Sequence, residues 1–198
     1  MKNNAFFSAI FAGICIAIAG FGFLASKQVG IFLFIFGLAT VVSYGLKLFT
    51  GTAGFVQNGK DIGTLCIILA GNLIGCLAVA LLARCSPMSL QESATALLQS
   101  RLESGWWKCG LLAIGCGILM TASVTFARKG KEFGNWVPLL FAVPLFILCG
   151  FPHCIADAFY YLACPVDFLL GNVRDIIILY ISIVAGNFIG CSLYRLFV

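Results

Sequence analysis

Three ionisable side chains stand where an apolar chain can least easily carry them: His153, Asp157 and Lys47. His153 is the sole histidine of 198 residues and lies in Gly150-Phe151-Pro152-His153-Cys154-Ile155-Ala156-Asp157. Pro152 has no amide hydrogen and disrupts the turn before it. Asp157 follows one helical turn later, so both side chains can share a face. Lys47 lies in Gly45-Leu46-Lys47-Leu48-Phe49-Thr50-Gly51-Thr52-Ala53-Gly54. Each glycine there weakens a helix by about 1 kcal/mol relative to alanine. Ionisable groups within a membrane are expensive and point to function. A histidine exchanges a proton near neutral pH, and Lys47 would add fixed positive charge. Two half-helix ends meeting at such breaks would add backbone amides and a positive dipole end. These groups suit a small anion. Leu48, Phe49, Phe146 and Phe151 would form apolar constrictions that strip water from it at considerable cost. A proton from His153 would turn a weak-acid anion into its neutral acid and lower that cost. The expected selectivity is for weak-acid anions over chloride.

The elements that must position these residues are membrane spans. Hydrophobic residues make up 62% of the chain and charged residues 10%, against about 25% charged in a soluble domain. A helix of about 20 apolar residues crosses the hydrocarbon core. Six runs qualify: Phe6–Ala25, Val29–Leu46, Ile62–Ala83, Gly105–Ala127, the Pro-interrupted Trp136–Cys164, and Asp175–Phe197. The first carries no charge and reads as a retained span rather than a signal peptide. The connections are too short for a second domain, so residues 1–198 are expected to form one transmembrane domain. The net charge of +5 is dispersed and indicates no nucleic-acid partner. With the N-terminus inside, Lys2, Lys60, Arg128, Lys129, Lys131 and Arg195 fall on the inner face. Lys27, Arg84, Arg101, Lys108 and Arg174 fall on the outer one. The dense cluster Arg128-Lys129-Gly130-Lys131 then obeys the positive-inside rule. Both termini are therefore expected in the cytoplasm of a cell bounded by this (inner) membrane.

A repeated hexapeptide organises the six spans. Gly71-Asn72-Leu73-Ile74-Gly75-Cys76 in the third recurs as Gly186-Asn187-Phe188-Ile189-Gly190-Cys191 in the sixth. Three spans per half place the second copy upside down, so the expected fold is all-α with two inverted three-helix repeats. Repeat one covers about 5–84 and repeat two about 105–198. An amphipathic outer connector of about 88–103 opens on Ser89-x-x-Glu92, a capping-box pattern. The second and fifth helices, the two with breaks, become partners. Gly71 with Gly75, and Gly186 with Gly190, have the spacing that lets helices approach closely. Asn72 and Asn187 are expected to tie down backbone groups freed by the breaks.

Other classes fit less well. Ten cysteines lie mostly within the spans, without a Cys-x-x-Cys, and read as small apolar fillers. A redox or metal enzyme using Cys149, His153 and Cys154 would lack the paired ligand spacings of a zinc site. No metal, cofactor or catalytic role is expected. Asp157 favours a cation pore, but Lys47 and Arg101 oppose it. The remaining alternatives are a non-conducting or regulatory membrane subunit of the same fold, or a pore of different selectivity, for a cation or a neutral solute.

Four pieces in order resemble the formate/nitrite transporter family: Leu48-Phe49-Thr50-Gly51, Gly71-Asn72-Leu73-Ile74-Gly75, Gly150-Phe151-x-His153-x-Ile155-Ala156 and Gly186-Asn187-Phe188-Ile189-Gly190. They span nearly the whole chain. The resemblance implies aquaporin-like protomers in a homopentamer within the lipid bilayer. Each would have its own pore for formate, nitrite, hydrosulfide or a similar monovalent anion, as a channel or proton-linked transporter. It assigns His153 to the pore centre, Thr50 to the loop threonine facing it, and Arg101 to the outer vestibule, where the family often has lysine. The chain departs from the family pattern at Lys47, usually an acid, at Pro152, usually glutamate, and at Asp157, usually asparagine. The interval from Gly51 to Gly71 is short for the family, which predicts a stunted half-helix near Thr52–Asn58.

Overall fold

The computed structural model describes residues 4–88, 90–130 and 132–197. Lys2, Ser89 and Lys131 lie outside them. Nine α-helices follow in order among the described residues: α1 (Ala5–Ala25), α2 (Lys27–Ser43), α3 (Gly59–Ala83), α4 (Gln91–Ser104), α5 (Trp106–Ala127), α6 (Val137–Leu148), α7 (Cys154–Leu162), α8 (Val166–Gly171) and α9 (Val173–Phe197). Of these, α1, α3, α5 and α9 are long and apolar enough to cross a membrane, while α2 and α6 are shorter. Local chemistry sets several starts. The Asn4 side chain accepts from the Phe6 amide ahead of α1, and Asn58 and Asp61 form a reciprocal capping box at α3. The connector helix α4 begins at Gln91, directly after Leu90.

Each half contains a long helix, a broken helix and a long helix. In repeat one these are α1, α2 with its following loop, and α3. In repeat two they are α5, α6 joined through a break to α7, and α9. The most extensive packing is α1 against α3 and α5 against α9. The hexapeptide glycines make it possible. A Cβ on Gly75 would fall on the Ile10 carbonyl, and one on Gly190 on the Ile114 carbonyl. Outside, Phe32, Phe36, Leu81 and Ile181 form an apolar exterior that suits lipid or another protein rather than water.

Gly75→Ala should therefore destabilise the fold by about 2 kcal/mol, as overpacking does in tight cores. Gly22 on α1 has nothing within 4 Å of its would-be Cβ. Gly22→Ala should leave thermal unfolding in detergent unchanged or raise its midpoint, since alanine is the better helix former. Equal effects of the two substitutions would refute the close-approach account.

The breaks are built alike. Helix α2 stops at Ser43 rather than continuing to Leu46, because Gly45 adopts φ 63°. The Gly45 amide donates to Val42 O at 3.1 Å and the Leu46 amide to Val41 O at 2.9 Å. Helix α6 ends the same way at Gly150, φ 67°, with Gly150 N donating to Ile147 O and Phe151 N to Phe146 O. This is the double reverse hydrogen bond of a glycine helix stop. The long span expected over Trp136–Cys164 is thus α6, a break over residues 149–153, and α7. The halves differ beyond the break. Repeat two resumes as nine-residue α7, whereas repeat one makes only a three-residue 3-10 turn, Ala53–Phe55.

Candidate functional site

Asn72 and Asn187 hold the two breaks by the same three hydrogen bonds. Asn72 Oδ1 accepts from Phe49 N at 2.9 Å, and its Nδ2 donates to Ala9 O at 2.7 Å and Lys47 O at 3.0 Å. Asn187 Oδ1 accepts from Cys154 N at 2.8 Å, and its Nδ2 donates to Ala113 O at 2.8 Å and Pro152 O at 3.0 Å. Both asparagines are fully buried, where unpaired backbone groups would be costly. The common pattern also sets the register between the breaks: Lys47 corresponds to Pro152, Leu48 to His153, Phe49 to Cys154 and Thr50 to Ile155.

The sixth residue of each hexapeptide reaches into the opposite repeat. Cys76 Sγ lies 3.3 Å from Ile155 O, and Cys191 Sγ lies 3.3 Å from Thr50 O. Each thiol also faces a carbonyl of its own repeat, Gly13 for Cys76 and Gly117 for Cys191. These cysteines are therefore weak donors that lock the two breaks together, rather than the apolar fillers expected from the sequence. Their recurrence at one position of the repeat was the signal available for this role.

His153 and Thr50 meet where the breaks meet. His153 is 2% exposed and Thr50 is 1% exposed. Thr50 Oγ1 lies 3.1 Å from His153 Nε2. His153 Nδ1 accepts from the Ala156 amide at 3.2 Å and caps α7. A backbone N–H can only donate, so Nδ1 carries no proton and the neutral ring bears its proton on Nε2. Nε2–H then donates to Thr50 Oγ1. Protonating Nδ1 would bring two N–H groups face to face and release the cap. This geometry presents His153 as a hydrogen-bond donor of fixed direction. By the register above, the counterpart of the His153–Thr50 pair is Leu48 with Ile155, so only one side of the pseudo-twofold axis is polar.

Two first-turn amides of α7 are committed within the protein. Cys154 N is taken by Asn187 and Ala156 N by His153, while the Phe49 amide of the first break is taken by Asn72. The expectation that the half-helix ends offer backbone amides to an ion does not hold for these three amides. The brief turn at Ala53–Phe55 also supplies little dipole, since the macrodipole grows from aligned peptide units.

A cavity of about 180 Å³ reaches His153, lined in part by Arg101, Phe146, Phe151, Asp157 and Tyr160. The Phe146 and His153 rings are 5.8 Å apart. Phe151 packs its ring over Gly115 of α5. Asp157 is 1% exposed. Its Oδ2 accepts from the His153 amide at 2.8 Å, and its Oδ1 lies 3.4 Å from Arg101 Nε. Arg101, in the last turn of α4, also donates from Nη1 to Gly150 O at 2.6 Å. Burial by itself would lower the pKa of the guanidinium, but Asp157, Tyr161 and Cys109 together raise it above the ordinary value. The connector is thereby fastened to the break, bridging residues distant in sequence.

The sequence-expected residues divide into three groups. His153, Asp157, Arg101, Phe146 and Phe151 line one cavity, with Thr50 in contact with His153. Leu48 and Phe49 are buried in the first break and do not line that cavity. The Lys47 side chain is exposed, between buried Leu46 and buried Leu48. Tyr160 joins the site without a sequence motif to announce it, and the carbonyl of Gly150 adds an acceptor for Arg101. Among the described residues, no cluster of three or more His, Cys, Asp or Glu side chains is arranged for a metal.

Comparison with known proteins identifies the family and the fold. A family model described as formate/nitrite transporter matches residues 2–198. The formate channel FocA of Haemophilus influenzae is 26% identical over 181 residues, covering 78% of this chain and 64% of the relative. A formate-nitrite transporter of Plasmodium malariae is 28% identical over 191 residues, covering 79% of this chain and 61% of that protein. The chain thus spans less than two thirds of the length of these relatives. A solved pentameric formate channel with formate bound superposes with a TM-score of 0.83 at 22% identity, covering 98% of this chain and 94% of that one. A second solved structure, an FNT family ion channel, superposes with a TM-score of 0.78 at 18% identity, covering 97% of this chain and 86% of that one. The architecture is the aquaporin-like one of two inverted repeats.

Proposed function

This chain belongs to the formate/nitrite transporter family, and on that premise we propose that it conducts small monovalent weak-acid anions across a membrane. The substrate class is that of formate, nitrite and hydrosulfide. The observation that carries the reading is the buried contact between His153 Nε2 and Thr50 Oγ1 at the floor of the outer cavity. One break supplies the donor, the other supplies a hydroxyl that both accepts and donates, and apolar rings flank them. An anion leaving water for this site loses hydration. The Nε2–H and the Thr50 hydroxyl replace part of it, and charge-assisted hydrogen bonds are the stronger kind. A weak-acid anion can also take up a proton from water on entry and pass as its neutral acid, an option that chloride lacks, which lowers the remaining cost and favours weak acids. Transport rather than catalysis is the role this geometry supports.

The protein is a multi-pass membrane protein, with α1, α3, α5 and α9 crossing in full and the two broken helices completing the set. We place it in the cell (inner) membrane with both termini cytoplasmic, as one domain of two repeats joined by α4. The pentameric state of the solved formate channel, together with the apolar exterior, supports a homopentamer with one pore per protomer.

The test is an anion-selectivity series with purified protein in liposomes, from about pH 5 to about pH 8, where a histidine or a weak acid changes charge. Formate, nitrite or hydrosulfide flux should exceed chloride flux and rise as pH falls. Flux independent of pH would refute passage as the neutral acid, and intact oligomers without any flux would favour the non-conducting subunit.

A further inference from the structure

We infer that Asp157 is a specificity-determining residue that cancels the charge of Arg101 in the outer vestibule, so that the site admits its permeant without concentrating anions. This rests on the pore reading above. Arg101 and Asp157 are the two charged side chains among those lining the cavity that reaches His153. They form the one ion pair among the described residues, at 3.4 Å. The pairing is enforced from both sides. The second carboxylate oxygen of Asp157 is held by the His153 amide at 2.8 Å, so the carboxylate cannot swing away. Arg101 is pinned by the Gly150 carbonyl at 2.6 Å. A lone guanidinium in such a low-dielectric cleft would focus its field on the cavity and draw anions in. With the carboxylate fixed beside it, the cavity experiences a dipole, whose field falls off faster than that of a charge.

The consequence is a division of labour. Recognition passes from the vestibule to the donor groups of His153 and Thr50, and the vestibule is left nearly indifferent to whether its guest is an anion or the neutral conjugate acid. This suits a permeant whose protonation state changes on its way through.

Binding of formate, with formamide as a neutral probe of similar size, tests this by titration calorimetry on the purified full chain. Asp157→Asn keeps an oxygen for the His153 amide and unmasks Arg101. It should tighten formate binding about tenfold. Arg101→Gln leaves the carboxylate unpaired and should weaken formate binding about tenfold, and the double variant should return to within about twofold of the parent. Formamide binding should stay within about twofold throughout. Two single variants that both weaken formate, or a double variant weaker than either, would overturn the inference. So would a complete absence of formate binding in every variant. Should Asp157→Asn fail to fold, Arg101→Gln alone must lower formate and spare formamide, and loss of both would count against the inference. Since binding is read without flux, a protein that shows this pattern but conducts nothing would sink the pore reading and leave the charge cancellation standing.

Discussion

His153→Asn should lower formate flux in liposomes by roughly ten- to a hundredfold, while the protein still folds. The expected loss is that of a hydrogen bond to a charged group, about 1.5–3 kcal/mol. Asparagine is chosen because it separates the two roles of His153. The ring caps α7 through Nδ1, which accepts from Ala156 N, and faces Thr50 through Nε2. Asparagine is among the best helix caps, so the start of α7 survives, but its shorter amide falls short of Thr50. His153→Ala removes both roles and should add a stability loss of about 1 kcal/mol. Flux in His153→Asn equal to that of the parent would remove the imidazole from the mechanism. Flux lost only in the alanine variant would mean that the residue serves the helix and not the permeant.

Asn187→Leu should be the most damaging single substitution of the hexapeptides. It matches the side chain in bulk and leaves Cys154 N, Ala113 O and Pro152 O without their partner. Each unpaired buried group costs about 1–3 kcal/mol, so the total is about 3 kcal/mol or more. The midpoint of thermal unfolding in detergent should drop by about 10 °C for a chain of this size. Asn72→Leu removes the equivalent bonds from Phe49 N, Ala9 O and Lys47 O. The bond to Lys47 O is only part-buried, whereas that to Pro152 O is buried, so this effect should be smaller. An unfolding midpoint unchanged in both variants would refute the role of the asparagines as fasteners of the breaks.

Much of the architecture was legible because it depends on composition and repetition. The apolar runs, the inverted halves and the glycine-marked interruptions each follow from neighbouring residues in the chain. The stunted half-helix of repeat one was legible too, since the short interval between Gly51 and Gly71 leaves little chain for it, and the structure has only the turn Ala53–Phe55 there. Helix α2 ends at Ser43, before the expected Leu46, because a run of apolar residues does not mark where Gly45 turns the backbone. The thiols of Cys76 and Cys191 were misread because cysteine in an apolar span looks like packing. Its donor role exists only when the opposite repeat brings a carbonyl within reach.

By itself, the sequence determined what must be local: six apolar segments, two of them interrupted, and a duplicated hexapeptide that obliges the halves to fold alike. Hydrophobicity, proline and glycine act on adjacent residues, so their consequences can be read in order along the chain. The tertiary structure alone decided which groups meet. It set His153 against Thr50, paired Asp157 with Arg101 beside the same cavity, and left the Lys47 side chain exposed. Hydrogen bonds and ion pairs act over a few ångströms in space, and those distances exist only after the two halves have packed.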